Sequence, residues 1–146
     1  MDPTGSTIEL SIDSDFQFVE LVASVTDSIT QLVGFGPEEA YWIGLSVRES
    51  VINAIKHGNK LDVKKPVEVK FVISDDQIVI YVKDFGEGFD PSCVPNPLDP
   101  VNLLNPNGRG IFYMRTFMDE VDFQTPSSGG TVVVMRKRKT AKTTGL

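Results

Sequence analysis

Glu49-Ser50-Val51-Ile52-Asn53-Ala54-Ile55-Lys56-His57-Gly58 is the stretch on which the reading of this chain turns. Upstream, Pro37 suits the first turn of a helix, and Glu38 and Glu39 suit its positive N-terminal end. The pattern predicts a helix from Pro37 to about His57, stopped at Gly58-Asn59 by an ordinary C-terminal signal. On a helical projection Trp42, Ser46, Glu49, Asn53, Lys56 and His57 fall within one arc of about 100°. Ile43, Leu45, Val47, Val51, Ile52, Ala54 and Ile55 fill the remaining circumference, interrupted by Arg48. A solvated helix has the opposite proportions, a narrow apolar stripe and a broad polar face. A mostly buried helix that keeps Glu, Asn, Lys and His in one line must give them partners, because unpaired buried charges are costly or shift their pKa. A bound polyanion with a divalent cation would supply them. A solvent-facing stripe with a Glu49/Asn53 pair one turn apart explains the helix alone equally well.

A second segment tips that balance. Val79 to Lys83 is strand-like and Asp84 ends it, followed by Gly86 and Gly88, which remove side chains where the backbone turns sharply or a ligand comes close. A carboxylate in such a place can accept hydrogen bonds from an exocyclic amine such as that of adenine. In a third segment, Gly108 and Gly110 flank Arg109 ahead of a short helix, a placement that offers backbone N–H groups and the helix dipole to an anion. Each of the three is weak alone; their order within one small domain is what carries the nucleotide reading.

The rest of the chain gives one α/β unit without internal repeats. Thr7 to Ile12 alternates weakly as a strand, and Asp13, Ser14 and Asp15 offer N-caps for a helix from about Phe16 to Val33, with Phe18, Val22, Val25, Ile29 and Leu32 on its apolar face. Gly34-Phe35-Gly36 separates it from the second helix. Val67, Val69, Phe71 and Ile73, then Ile78, Ile80 and Val82, alternate around Ser74 to Gln77 as an antiparallel hairpin. Gly86 to Gly110 has no periodicity and holds Pro91, Pro95, Pro97, Pro100 and Pro106; loops this long tend to be functional lids or disordered. A short helix from Ile111 to Met118 precedes two strands, Glu120 to Gln124 and Thr131 to Lys137, joined by a turn at 125–130.

Global properties bound the partners. With 146 residues and 40% hydrophobic content the chain can bury the core of one domain. Its net charge of -6 disfavours direct nucleic-acid binding, which needs clustered Lys and Arg. The one basic run, Arg136 to Lys139, reads as a solvated strand end rather than a polyanion patch. Cys93 is the only cysteine, which excludes an intramolecular disulfide and a thiol-only zinc cluster and fits a reducing compartment. No apolar run reaches the ~20 residues of a membrane span, and the first residues lack a signal peptide, so the expected location is the cytoplasm.

The ordered set resembles the GHKL or Bergerat nucleotide-binding domain shared by histidine kinases, ATP-dependent chaperones, type II topoisomerases and MutL. Glu49 to Asn53 matches its N box, Asp84-x-Gly86-x-Gly88 its first glycine box, Gly108-x-Gly110 its second, and Gly130-Thr131 its closing strand motif. A Walker-type phosphate loop is absent. The resemblance implies an α+β two-layer sandwich, with a mostly antiparallel mixed sheet, helices on one face and a long ATP lid. It spans one domain over residues 1–146, with a core at about 8–138, the lid at about 86–110 and a polar tail at 139–146. Within the superfamily the chain resembles in particular the bacterial anti-sigma factors and serine-protein kinases of the RsbW and SpoIIAB type, through Arg48 to Asn59, Asp84 to Pro91, and Gly108 to Arg115 with Met118 to Val121. A histidine kinase needs a phosphoacceptor His on an upstream hairpin, whereas the only histidine is His57, inside the nucleotide helix.

That resemblance implies roles. Asn53 would coordinate Mg2+, Glu49 would be the general base toward a substrate hydroxyl, and Asp84 would bind the adenine amino group of ATP or ADP with support from the Thr131 hydroxyl. Gly86 and Gly88 would let base and lid approach; Gly108, Arg109 and Gly110 would contact phosphates; Lys56 and His57 would border the site. Trp42, Phe89 and Cys93 are read as lid or packing residues. The implied substrate is a serine on an anti-sigma-factor antagonist of the STAS fold, and the implied second partner is an alternative sigma factor, with homodimerisation in addition. Two other readings stand beside it: a regulatory module of the same fold that binds ATP without phosphoryl transfer, and a structural domain with a fortuitous polar stripe.

Overall fold

The computed structural model describes residues 5–87 and 109–140, with the side chains of 109 and 110 excepted. Its strands are β1 (Ser6–Asp13), β2 (Pro66–Ile73), β3 (Gln77–Lys83), β4 (Glu120–Gln124) and β5 (Val132–Arg138). Its helices are α1 (Val19–Val33), α2 (Pro37–Asn53) and α3 (Arg109–Phe117). The strands form one sheet in the order β1-β2-β3-β5-β4, antiparallel at every pairing. The expected α+β class, hairpin and closing strands are all present.

Strand alternation sorts the two faces of the sheet. Val69 sits opposite Val82 and Phe71 opposite Ile80, which in turn faces Met135 across β5. All five are buried and join Val22, Ile29, Ile43, Val47, Val51 and Ile55 of α1, α2 and the turn after α2, with Ile111 and Met114 of α3, in one hydrophobic core. On the other face Glu68 opposes Lys83, Lys70 lies between Glu9 and Tyr81 with its ammonium 4.4 Å from the Tyr81 ring centroid, and Val72 pairs with Val79, both buried. The helices therefore cover one face only.

The first helix differs in detail from the sequence expectation. It opens as a 3-10 turn over Phe16–Phe18, capped by Asp15, whose carboxylate accepts from the Gln17 N–H at 3.0 Å. Its buried face runs through Val19, Val22, Thr26, Ile29, Thr30 and Val33, while Leu32, placed on the apolar face by its spacing, is 77% exposed. Two threonines occupy the core because their hydroxyls are satisfied within the helix, Thr26 donating to the Val22 carbonyl and Thr30 to that of Asp27, both at 2.8 Å. Gly34 closes the helix in the left-handed region at φ 95°.

Two further expectations are corrected. Beyond Asn53 the helix widens into a π turn over Ala54–Gly58, with the Asn59 N–H reaching the Ala54 carbonyl at 2.8 Å. The helical run still ends where expected, at Gly58 with Asn59 as its cap, but the left-handed backbone falls on Lys60 (φ 53°) and Leu61 (φ 61°) rather than on Gly58. The basic strand end is ion-paired rather than simply solvated: Arg136 and Arg138 reach Glu120 at 2.9 and 3.4 Å, and Lys137 reaches Asp119 at 3.6 Å. Lys139 donates to the last-turn Val33 carbonyl of α1 at 3.0 Å, a favourable place for a cation. No helix among the described residues is long and apolar enough to cross a membrane.

Candidate functional site

Asp84 lies just past the end of β3, where the ladder carries its backbone one bond further: its N–H donates to the Thr131 carbonyl at 3.0 Å. Its side chain folds back onto the same two segments. Oδ1 accepts from the Gly86 N–H at 3.0 Å and from the Thr131 N–H at 3.2 Å, and the residue is 5% exposed. Burial raises the Asp84 pKa above the usual carboxylate value, with the Gly86 and Thr131 N–H groups and the Lys65 charge pulling the other way. Oδ2 accepts no hydrogen bond among the described residues.

Three glycines make room for this arrangement. A Cβ on Gly58 would strike the Asp84 carboxylate, one on Gly86 would strike the Gly58 carbonyl, and one on Gly130, already at φ 79°, would strike the Asp84 carbonyl. Gly58 thus brings the end of the π turn against the end of β3. Two of these obstacles are backbone atoms, which cannot swing aside as a flexible side chain would. Gly86→Ala is accordingly expected to lower the melting temperature by about 5 °C or more, as overpacking does in a domain of this size, checked by thermal unfolding.

The Thr131 hydroxyl is buried and has no hydrogen-bond partner among the described residues. An unpartnered buried hydroxyl costs about 1–3 kcal/mol. Beside it stands the Asp84 carboxylate, whose Oδ2 accepts no hydrogen bond among the described residues. This pair suits the edge of a heterocycle bearing an amine donor, so the residues present fit an adenine ring.

On α2, Glu49 is half-buried and Asn53 partly buried. Neither side chain makes a hydrogen bond or ion pair among the described residues, so the i,i+4 pair that would make the stripe merely structural is absent. Desolvation raises the Glu49 pKa, and the neighbouring Arg48 charge opposes this in part. Arg48 itself bonds to Glu20 of α1 at 3.1 Å. No cluster of three His, Cys, Asp or Glu side chains occurs among the described residues. A lone carboxamide at Asn53 fits a hard cation that keeps water and ligand oxygens around it.

The structure does not extend the predicted polar line through the end of the helix. Widening at the π turn breaks the 3.6-residue projection, and Lys56 and His57 are exposed, joined to neither Asp84 nor Glu49 among the described residues. Ser46 is buried in the core, and Trp42 stacks on Phe117 of α3 with centroids 3.5 Å apart and planes 8° from parallel, a packing role. Arg109 and Gly110 already belong to α3, so its first turn includes them. Gly88, Phe89, Cys93, Gly108 and, of the lid expected at about 86–110, residues 88–108 lie outside the described residues.

Sequence reasoning missed Gly58 and Asn59 as parts of the site because Gly-Asn after a helix is an ordinary stop. The available signal was redundancy, since one left-handed residue suffices to end a helix and the chain supplies two candidates in a row.

Comparison with known proteins shows the family. Residues 12–137 match the histidine kinase-like ATPase domain family, HATPase_c_2. A serine-protein kinase RsbW of Bacillus pumilus is 30% identical over 94% of this chain and 88% of its own length. That of Bacillus subtilis is 28% identical over 94% of this chain and 88% of its own length, and that of Staphylococcus epidermidis 28% identical over 93% and 89%. Among solved structures, the RsbU and RsbW domains of a Mycobacterium tuberculosis protein superpose with a TM-score of 0.67 at 18% identity, covering 91% of this chain. This chain spans 32% of that one, and the likeness establishes the fold. With the matched segment running from the end of β1 to the end of β5, the chain belongs to the histidine kinase-like ATPase domain family.

Proposed function

We propose that this chain is an ATP-binding anti-sigma factor and serine-protein kinase, built as a single nucleotide-binding domain. Similarity to RsbW serine-protein kinases over nearly the whole chain supports the reaction class. The observation that carries the mechanism is the Glu49 carboxylate, half-buried and left without a partner among the described residues on the same helix as Asn53. A carboxylate held above its usual pKa by desolvation is a better proton acceptor, as a general base must be.

Bound Mg-ATP would supply the transferable phosphoryl group and a counter-charge to its phosphates. The chain's own residues would do the rest. Asp84 and Thr131 would read the adenine edge, Gly86 and Gly88 would let the base lie against the backbone, and Asn53 would hold the metal. Gly108, Arg109 and Gly110 would contact the phosphates, because the N-terminal turn of a helix and an arginine both favour anions. Glu49 would accept the proton of the serine hydroxyl as the oxygen–phosphorus bond forms and ADP leaves. Lys56 and His57, exposed within the π turn, receive no role at the reacting atoms.

The phosphoacceptor would be a STAS-type antagonist whose modified serine adds charge to its interface with the kinase, releasing it. The freed kinase would bind an alternative sigma factor, as a homodimer, in the cytoplasm. Incubation with Mg2+, γ-labelled ATP and the antagonist tests this: label on serine supports the kinase, whereas tight nucleotide binding with no label favours the regulatory module. Asn53→Ala is expected to abolish the gain in nucleotide affinity that Mg2+ confers. Calorimetric titration of ADP with and without Mg2+ checks this, and an unchanged Mg2+ effect would reassign the metal ligand.

A further inference from the structure

Asn59 is 1% exposed and fully engaged. Its amide nitrogen donates to Ser14 Oγ at 2.8 Å, the Pro66 carbonyl at 3.0 Å and the Lys65 carbonyl at 3.3 Å. Its Oδ1 accepts from the Phe85 N–H at 2.8 Å. Donors on one side and acceptors on the other fix the amide orientation, since a flip would set an NH2 against the Phe85 N–H. One buried side chain therefore joins the end of β1, the start of β2 and the segment just past β3.

The bond to Phe85 is placed to matter. The Asp84 N–H is held by the Thr131 carbonyl, which fixes the peptide before Asp84. The Phe85 N–H belongs to the peptide after it, and Asn59 is its hydrogen-bond partner. With both flanking planes held, the Asp84 Cα–Cβ direction is set. The adjacent Gly58 leans on the Asp84 carboxylate itself. The π turn delivers both residues, since a normal α-helical continuation would place this pair differently around the axis.

We propose that Asn59 is a positioning residue for base recognition: by holding the Phe85 N–H it aims the Asp84 carboxylate and so sets the preference for adenine over purines lacking the amine. This rests on the nucleotide reading above. A site built around a hydrogen bond to the ligand discriminates strongly only while its own groups are held in place.

The test is the ratio of ADP to IDP affinity, since a loss of folded protein scales both alike. Wild type should prefer ADP; Asn59→Ala should lower that preference about ten-fold or more while both nucleotides still bind through their phosphates. Ser14→Ala removes the bond from the Ser14 hydroxyl to the Lys65 carbonyl at 2.6 Å and one Asn59 partner, but leaves the Phe85 bond, and should lower stability without changing the ratio. An Asn59→Ala protein that retains the wild-type ratio, or a Ser14→Ala protein that loses it equally, overturns the positioning role. A wild type that binds neither ADP nor IDP overturns the nucleotide reading, whereas one that binds the two alike leaves that reading standing and overturns adenine discrimination at Asp84 and this inference with it. Should Asn59→Ala fail to fold, amide exchange of Phe85 in the wild type decides. Protection that rises with ADP and not with tripolyphosphate supports the role, and a Phe85 amide that exchanges freely in both overturns it.

Discussion

Asp84→Asn is expected to lower ADP affinity about 10²-fold or more while raising the melting temperature of the ligand-free protein. The two signs have one cause. Oδ1 is committed to the Gly86 and Thr131 N–H groups, and asparagine can keep both bonds through its carbonyl. Its NH2 then replaces Oδ2, the oxygen that has no partner among the described residues, and a donor meets the amine of the base. In the ligand-free protein the substitution removes a buried carboxylate whose raised pKa shows that ionisation is disfavoured there. Wild-type protein should melt higher as ADP is added, by mass action, and Asp84→Asn should not. A variant that gained stability yet kept the ADP-induced shift would move adenine recognition away from Asp84.

Much of this fold was legible because it rests on periodicities that the chain keeps without interruption. The β2–β3 hairpin, the closing strands and the α2 start each have a local signal that tertiary context did not override. What was not legible came from residues whose local signal was satisfied in another way. Thr26 and Thr30 looked polar and are buried because their hydroxyls turn back on their own helix, whereas Leu32 looked like core and is exposed. Gly58 looked like a stop and is one, and it is also a point of close approach, a property that depends on Asp84, far away in sequence. At the candidate site the sequence named residues and could not name their geometry. The chain brings Asp84 and Thr131 together through the Thr131 N–H rather than its hydroxyl, and Lys56 and His57 lie exposed within the π turn, where a regular helical projection no longer holds.

Glu49→Gln carries the largest expected kinetic effect. Phosphoryl transfer to the antagonist serine should slow about 10²-fold or more, with ADP affinity and its Mg2+ dependence unchanged, because glutamine keeps the shape but cannot accept the proton. The same substitution has a stability signature with a definite pH dependence. In the folded protein, desolvation holds the Glu49 pKa above its unfolded value, the nearby Arg48 offsetting part of the rise. Between the two values the folded state binds more protons than the unfolded chain, so the wild type is favoured at low pH and loses that advantage as pH rises through the folded pKa. At neutral pH the wild type therefore carries a disfavoured ionised carboxylate and Glu49→Gln should melt higher; below the unfolded carboxylate pKa the two should coincide. Thermal unfolding across pH and single-turnover labelling of the antagonist read the two effects separately. Transfer by Glu49→Gln at the wild-type rate would remove the general base from this position. A melting temperature no higher than wild type at neutral pH would show that the carboxylate is stabilised by a contact formed in solution, and its freedom to take the serine proton would fall with that result.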